Sequence, residues 1–297
     1  MPLEDFIIWV YCWTDDNVKK ILKDTKLRHR GFQPKLSDIE VITIEIVGEF
    51  LSLETDKAIW SYFKTHWLPL FPQIGSRSSF AKQSSNLWHV KQLLQAELSE
   101  KSCKKSQCFI VDGFPIATAH FKRANKSANF KGDAGYGYCA SKEETYYGFK
   151  GHLLVDDVGN IINFTLTEAA GSERDAVWEL IQNKSNNYLL GDKGYLSSRL
   201  KSDLLSEQQL ILETPVRYNM TDNLEKEERT FLNKTRRLVE TVIGQLTTQF
   251  NMSKILARRM WTLSGRFSRK ILAHGLGMLA NISNKHKPLQ LEHVICV

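Results

Sequence analysis

From Leu3 to about Glu100 the apolar residues recur at helical spacing. Turn signals interrupt them at Gly31-Phe32-Gln33-Pro34, from Pro69 to Pro72, and at Gly75-Ser76. Ser37-Asp38-Ile39-Glu40 has the pattern of a capping box, with Ser37 as N-cap and Glu40 reaching back to its amide. The helix this predicts buries Val41, Ile44, Ile46, Val47 and Leu51 along one face. A second helix is predicted over Lys57 to Trp67 and a third from about Ser79 to Leu98. With Trp60, Phe63, Trp67, Phe80 and Trp88 among them, these short helices could pack as a helix-turn-helix-like module or form a cap on a neighbouring sheet.

After the polar, basic stretch Lys101-Ser102-Cys103-Lys104-Lys105-Ser106 the period changes to that of strands. Cys108–Asp112 is an apolar run that Gly113-Phe114-Pro115 is expected to end, since proline cannot continue a paired central strand. A long loop rich in Gly, Asn and Lys is expected from Lys122 to Lys142. Thr145–Asp156 and Ile161–Thr167 flank the hairpin signal Asp157-Val158-Gly159-Asn160. Ser172-Glu173-Arg174-Asp175 opens a helix to about Ile181, and Tyr188-Leu189-Leu190-Gly191 leads to Asp192. Gln209–Glu213 is a further short strand, and Leu232–Phe250 reads as a helix. The order gives an α/β class: an RNase H-like mixed five-stranded sheet flanked by helices and preceded by an all-helical N-terminal region.

Charge adds a location. The chain of 297 residues carries a net +7. Between Lys226 and Lys270, 11 basic residues (Lys226, Arg229, Lys234, Arg236, Arg237, Lys254, Arg258, Arg259, Arg266, Arg269, Lys270) face only Glu227, Glu228 and Glu240, a local +8. Such a field suits a polyanion, although a solvated basic face would read the same way. The five cysteines are scattered without a Cys-x-x-Cys pair, and the eight histidines are equally dispersed, so neither a disulfide framework nor a zinc site is indicated. No apolar stretch nears the ~20 residues that span a bilayer, and the N-terminus lacks a basic start, so a cytoplasmic protein without membrane contact is expected.

Three acids stand out: Asp112 and Asp192, each just past a strand, and Glu240 inside the last helix. Taken singly, each has a plainer role open to it. The aspartates could cap turns, Lys193 could pair with Asp192 on the surface or touch a phosphate, and Glu240 could pair with Arg236. Val239, Val242, Ile243, Leu246 and Phe250 define the buried stripe and leave Glu240 at its edge. Jointly, three carboxylates brought together by this topology can hold two divalent cations roughly 3.5–4 Å apart for in-line displacement at phosphorus.

Val111-Asp112-Gly113-Phe114-Pro115, Tyr147-Gly148-Phe149-Lys150-Gly151-His152, Leu190-Gly191-Asp192-Lys193-Gly194-Tyr195 and Arg236-Arg237-Leu238-Val239-Glu240-Thr241-Val242-Ile243-Gly244 together resemble the DDE transposases of bacterial insertion sequences, most closely insertion-sequence family 982. The resemblance runs nearly end to end and includes Leu36-Ser37-Asp38-Ile39-Glu40-Val41-Ile42-Thr43. It implies Asp112, Asp192 and Glu240 as catalytic and metal-holding acids, with two Mg²⁺ ions for which Mn²⁺ substitutes. It also implies a DNA-binding helical region (1–101), a catalytic domain (102–280) and a C-terminal tail (281–297). The partners implied are double-stranded DNA, as element ends and target, and further copies of the chain as a homodimer or higher oligomer in a bacterial, nucleoid-associated setting. Candidate DNA contacts are Lys122, Arg123, Lys126, Lys131, Lys193, Arg236, Arg237, Arg258 and Arg259. Many relatives carry Lys or Arg two helical turns beyond the glutamate, where this chain has Thr247, which leaves Arg236, Arg237 or a residue near Arg258 to take that place. A non-transposing RNase H-like nuclease, a DNA-binding regulator and a small-molecule metallohydrolase stay open as alternatives.

Overall fold

The computed structural model describes residues 1–296 apart from 24, 26, 29–32, 107, 127, 141–142, 183, 186 and 216–225; nothing is stated for the side chains of 101, 102 and 226–229. Gly31, Phe32 and Lys142, which fall in segments singled out above, lie outside the described residues, as do the side chains of Lys226 and Arg229. The chain divides into two compact units, one of Met1–Leu98 with Leu246–Val297 and one of Ser99–Gln245.

The first unit is helical: α1 (Leu3–Leu22), α2 (Asp38–Phe50), α3 (Asp56–His66), α4 (Arg77–Asn86), the start of α5 (Trp88–Cys103), and α9 (Met260–Ser283). The capping box forms as the sequence predicts, with Ser37 Oγ accepting from the Glu40 amide at 3.1 Å and Glu40 Oε2 accepting from the Ser37 amide at 2.7 Å. Thr55 and Ser76 cap α3 and α4 with their hydroxyls alone, each accepting from the amide three residues on. The single helix expected from Ser79 to Leu98 is broken at Leu87. The run Gln83-Ser84-Ser85-Asn86 supplies short polar side chains that favour other hydrogen bonds over helix, and Ser84 Oγ and Asn86 Oδ1 bond to Glu45 and Trp261.

The basic stretch Arg236–Lys270 is not one helix. The helix carrying Glu240 stops at Thr248, the chain turns through Asn251 in the left-handed region (φ 48°), and α9 starts at Met260. Nor do all its cations face solvent. Arg269 is 0% exposed and bonds Glu45, Glu49 and Asp56 at 3.1, 2.5 and 2.9 Å. Lys270 meets Glu49 at 2.7 Å, Lys91 meets Glu45 at 2.9 Å, and Arg266 meets Asp56 at 2.5 Å. Three of the eleven charges counted above therefore serve an internal network and do not contribute to a basic surface. The guanidinium groups hold the Asp56 carboxyl at about 2 against the cost of its burial.

The second unit is built on a mixed sheet of β1 (Cys108–His120), β2 (Gly135–Cys139), β3 (Glu144–Asp156), β4 (Ile161–Glu168), β5 (Tyr188–Leu190) and β6 (Ile211–Glu213), with α6 (Glu173–Leu180), α7 (Ser198–Gln208) and α8 (Lys226–Thr248). The path runs β2-β3-β1-β5-β6, and β4 pairs the second half of β3 while β2 pairs its first. β1 is antiparallel to β3 and parallel to β5, and β5 is parallel to β6. This is the expected RNase H-like α/β architecture. Phe109, Val111, Leu189 and Leu212 pack with Val177 and Leu180 of α6 and Leu200 and Leu204 of α7 in one core cluster. Ile110, Leu153, Val155 and Leu190, which alternate with residues of that cluster, are buried as well, so both faces are covered.

Two strand readings need correction. β1 does not end at Asp112 but continues through Pro115, which lies opposite Lys150. Its neighbour β5 accompanies it only over Cys108–Ile110, so beyond that point β1 is unpaired by β5 and proline is tolerated there. Within the stretch taken as loop, Gly135–Cys139 adds the edge strand β2, with Tyr136 and Tyr138 outward. The hairpin forms as expected: Asp156 Oδ1 accepts from the Val158 and Asn160 amides at 3.0 and 2.8 Å, and Gly159 takes φ 92°.

Candidate active site

Ile110 and Leu190 are the last paired residues of the parallel strands β1 and β5. Asp112 and Asp192 each stand two residues further on, which sets them side by side where the strands part. Such an opening at the carboxyl ends of parallel strands is where α/β sheets take ligands. Each aspartate is oriented by backbone: Asp112 Oδ1 accepts the Gly113 amide and Asp192 Oδ1 the Gly194 amide, both at 2.7 Å. A Cβ on Gly113 would come within 3.3 Å of His152 Nδ1, so the chain passes tightly against that ring.

Glu240 is exposed on α8, while Val239 and Val242 are buried beside it, as the helical stripe predicts. Its charge reaches Asp112. Burial first, then the charges of Asp192, Glu173 and Glu240, together raise the Asp112 carboxyl to about 7, against the lowering effect of the Gly113 amide. Asp112 and Asp192 stand side by side, while Glu240 and a further acid, Glu173, act on Asp112 at electrostatic range. Tyr195 is fully buried, its hydroxyl without a hydrogen-bond partner among the described residues, and burial followed by Glu173, Asp112 and Asp192 pushes that phenol up. His152 donates or accepts through Nε2 with Thr167 Oγ1 at 2.9 Å and is held neutral by burial and Lys150, at about 4.

Among the described residues, no three His, Cys, Asp or Glu side chains are drawn tightly enough to hold one ion by themselves. The donor set is nevertheless all carboxylate oxygen. Magnesium characteristically takes one or two carboxylates and completes its shell with substrate phosphates and water. Mutually repelling acids around a buried carboxyl are relieved by a divalent cation, so the residues fit such an ion.

The nine basic candidates distribute unevenly. Lys122, Arg123 and Lys126 lie on the 3₁₀ turn Phe121–Lys126 and Lys131 in the turn after it, all exposed. Exposed Phe121 packs edge-on against Tyr136 at 5.7 Å. Lys193 and Arg237 are exposed and Arg236 is half-buried, in the same unit as the acids; Arg258 and Arg259 are exposed in the helical unit.

A family profile described as "Transposase DDE domain" matches residues 102–260, slightly more than half of the chain. The chain belongs to that family. It is a DDE transposase, an enzyme that acts on DNA, of a class that generally uses divalent metal ions. A search of curated proteins finds no match. Among the described residues, no helix of this transposase is long and apolar enough to cross a membrane.

Sequence reasoning missed Glu173, Lys150, His152 and Tyr195 as parts of the site. A signal existed for the first: Ser172-Glu173 is a capped helix start directly after a strand, which puts an acid at the sheet rim. Tyr195 read only as part of a turn, because burial of a turn residue cannot be seen in local pattern.

Proposed function

We propose that this transposase is of the insertion-sequence family 982 type, binds the terminal inverted repeats of its element, and cuts and rejoins DNA strands through Asp112, Asp192 and Glu240. The observation that supports this reading is that Asp112 and Asp192 stand at equal offsets past the end of the parallel β1–β5 pairing, with Glu240 within electrostatic reach. Asp112 and Asp192 would hold Mg²⁺, with Mn²⁺ as substitute, and Glu240 would complete a second ion site or orient the nucleophile. Two such ions supply activation of the attacking oxygen and stabilisation of the leaving one. The chain's own part is to fix those carboxylates through the Gly113 and Gly194 amides and to keep His152 uncharged beside them. The helical region 1–101 would engage element ends. Exposed Lys122, Arg123, Lys126, Lys131, Lys193 and Arg237 are suited to phosphate contact, with Arg236, Arg258 and Arg259 as further candidates. Holding two ends together calls for a dimer or higher oligomer on DNA.

The test incubates purified protein with its element-end DNA and Mg²⁺ or Mn²⁺, wild type beside Asp192→Ala. Metal-dependent cutting and joining in the wild type, reduced by at least about a thousandfold in the variant, is the expected result. Cutting without joining would make it a non-transposing nuclease, and end binding without cleavage in either protein would make it a regulator.

A further inference from the structure

Helix α6 begins at Glu173, with Ser172 Oγ accepting from the Asp175 amide as N-cap. Its second side chain grips the turn that carries Asp192. Arg174 donates from Nε to Gly194 O at 3.1 Å and from Nη2 to Leu196 O at 3.0 Å. Glu173 Oε1 accepts from Lys150 Nζ at 3.0 Å. Its other oxygen faces inward. A Cβ built on Gly194 would sit 2.5 Å from Glu173 Oε2 and 2.9 Å from Asp192 Oδ1, so the two carboxylate oxygens crowd one side of that glycine. The Tyr195 hydroxyl, fully buried and without a hydrogen-bond partner among the described residues, lies within electrostatic reach of both.

These two carboxylate oxygens, with an unpartnered buried phenol in electrostatic reach and one ammonium on Oε1, make a hard-oxygen donor set short of positive charge. We propose that Glu173 is a fourth carboxylate of the metal-binding centre, presenting Oε2 to a divalent cation shared with Asp192 while Lys150 holds Oε1. The proposal rests on the metal-dependent reading above. Lys150 then has a defined role: its ammonium competes with the cation for Glu173, so that removing it frees a ligand without removing a donor.

Mn²⁺ binding to the full-length protein, followed by the electron paramagnetic resonance of the free ion, separates the two ideas. Wild type is compared with Asp112→Asn, Glu173→Gln and Lys150→Met, with thermal unfolding of each as a control for folding. Asp112→Asn should lose binding. Glu173→Gln should weaken it about ten- to a hundredfold, and Lys150→Met should bind as tightly as wild type or more tightly. If Glu173→Gln proves unfolded, Glu173→Asp, which shortens the reach of the charge, carries the same expectation of weakened binding. Wild-type affinity in the Glu173 variant beside loss in Asp112→Asn would overturn the proposal and leave the metal reading standing. Equal weakening in Glu173→Gln and Lys150→Met would also overturn it, since the ion pair would then act only on structure. Binding unchanged in Asp112→Asn would overturn the metal reading and the proposal together.

Discussion

Asp112 holds its proton up to about pH 7 in the folded protein, whereas an aspartate in the unfolded chain releases it near 3.8. Between those values the folded state binds more protons than the unfolded one, so the stability of the metal-free protein falls as pH rises from about 4 to about 7 and stays lowered above. Asp112→Asn removes that cost. It should raise the unfolding free energy at pH 8 in the presence of chelator by up to about 4 kcal/mol, at ~1.36 kcal/mol per pH unit, seen as a higher urea midpoint, and change it little near pH 4. Equal midpoints at pH 8 would show that the carboxyl is not strained by its surroundings. The same substitution should abolish strand cleavage, so that stability and activity move in opposite directions. All three acids were legible as single residues in the sequence: Asp192 past a strand, Glu240 at the edge of a helical stripe, and Asp112 at the end of an apolar run, although β1 carries on beyond it. Glu173 was visible only as a helix opener, because its approach to Asp192 depends on Gly194 having no side chain, a three-dimensional condition that spacing does not encode.

At the scale of elements, the ladder between β1 and β3 organises the catalytic unit. It runs from Phe109 opposite Asp156 to His120 opposite Tyr146, with an irregularity between Ala117 and Ala119. Gly148 sits at that irregularity, and a Cβ there would lie 2.1 Å from the Ile116 carbonyl oxygen. Backbone cannot yield as a flexible side chain can. Gly148→Ala should therefore cost at least about 2 kcal/mol, read as a lowered unfolding midpoint, with amide exchange accelerated along β1 from Ile116 onward. An unchanged midpoint would mean the two strands are not held so close. Most elements followed from periodicity and capping: α2, the β3–β4 hairpin and α6 lie within a few residues of their predicted places, and α8 ends near its predicted end but begins six residues earlier, at Lys226. The misreadings share one cause. Pro115 and the Leu87 break were judged from local rules, while the sheet's unpaired margin and the partners of Ser84 and Asn86 are set by distant segments.

For the molecule as a whole, the charge total misleads until burial is known. Arg266, Arg269 and Lys270 belong to a network with Glu45, Glu49, Asp56 and Lys91, spread over α2, α3, α5 and α9 of the helical unit. Arg269→Met would leave three carboxylates short of their shared partner and should destabilise that unit by about 3–5 kcal/mol, seen as an early transition in thermal unfolding. Retention of the wild-type midpoint would show the network to be dispensable. Sequence alone could not separate these cations from Arg258 and Arg259, which are exposed only a few positions away. The network also constrains how such a chain can diverge. Loss of any one member strands the charge of its neighbours, whereas exchanging the whole set for apolar residues of similar volume can be neutral or better. The intermediate steps are the unfavourable ones, so lineages descending from this sequence should keep all seven residues or replace them in concert, and partial sets should be rare.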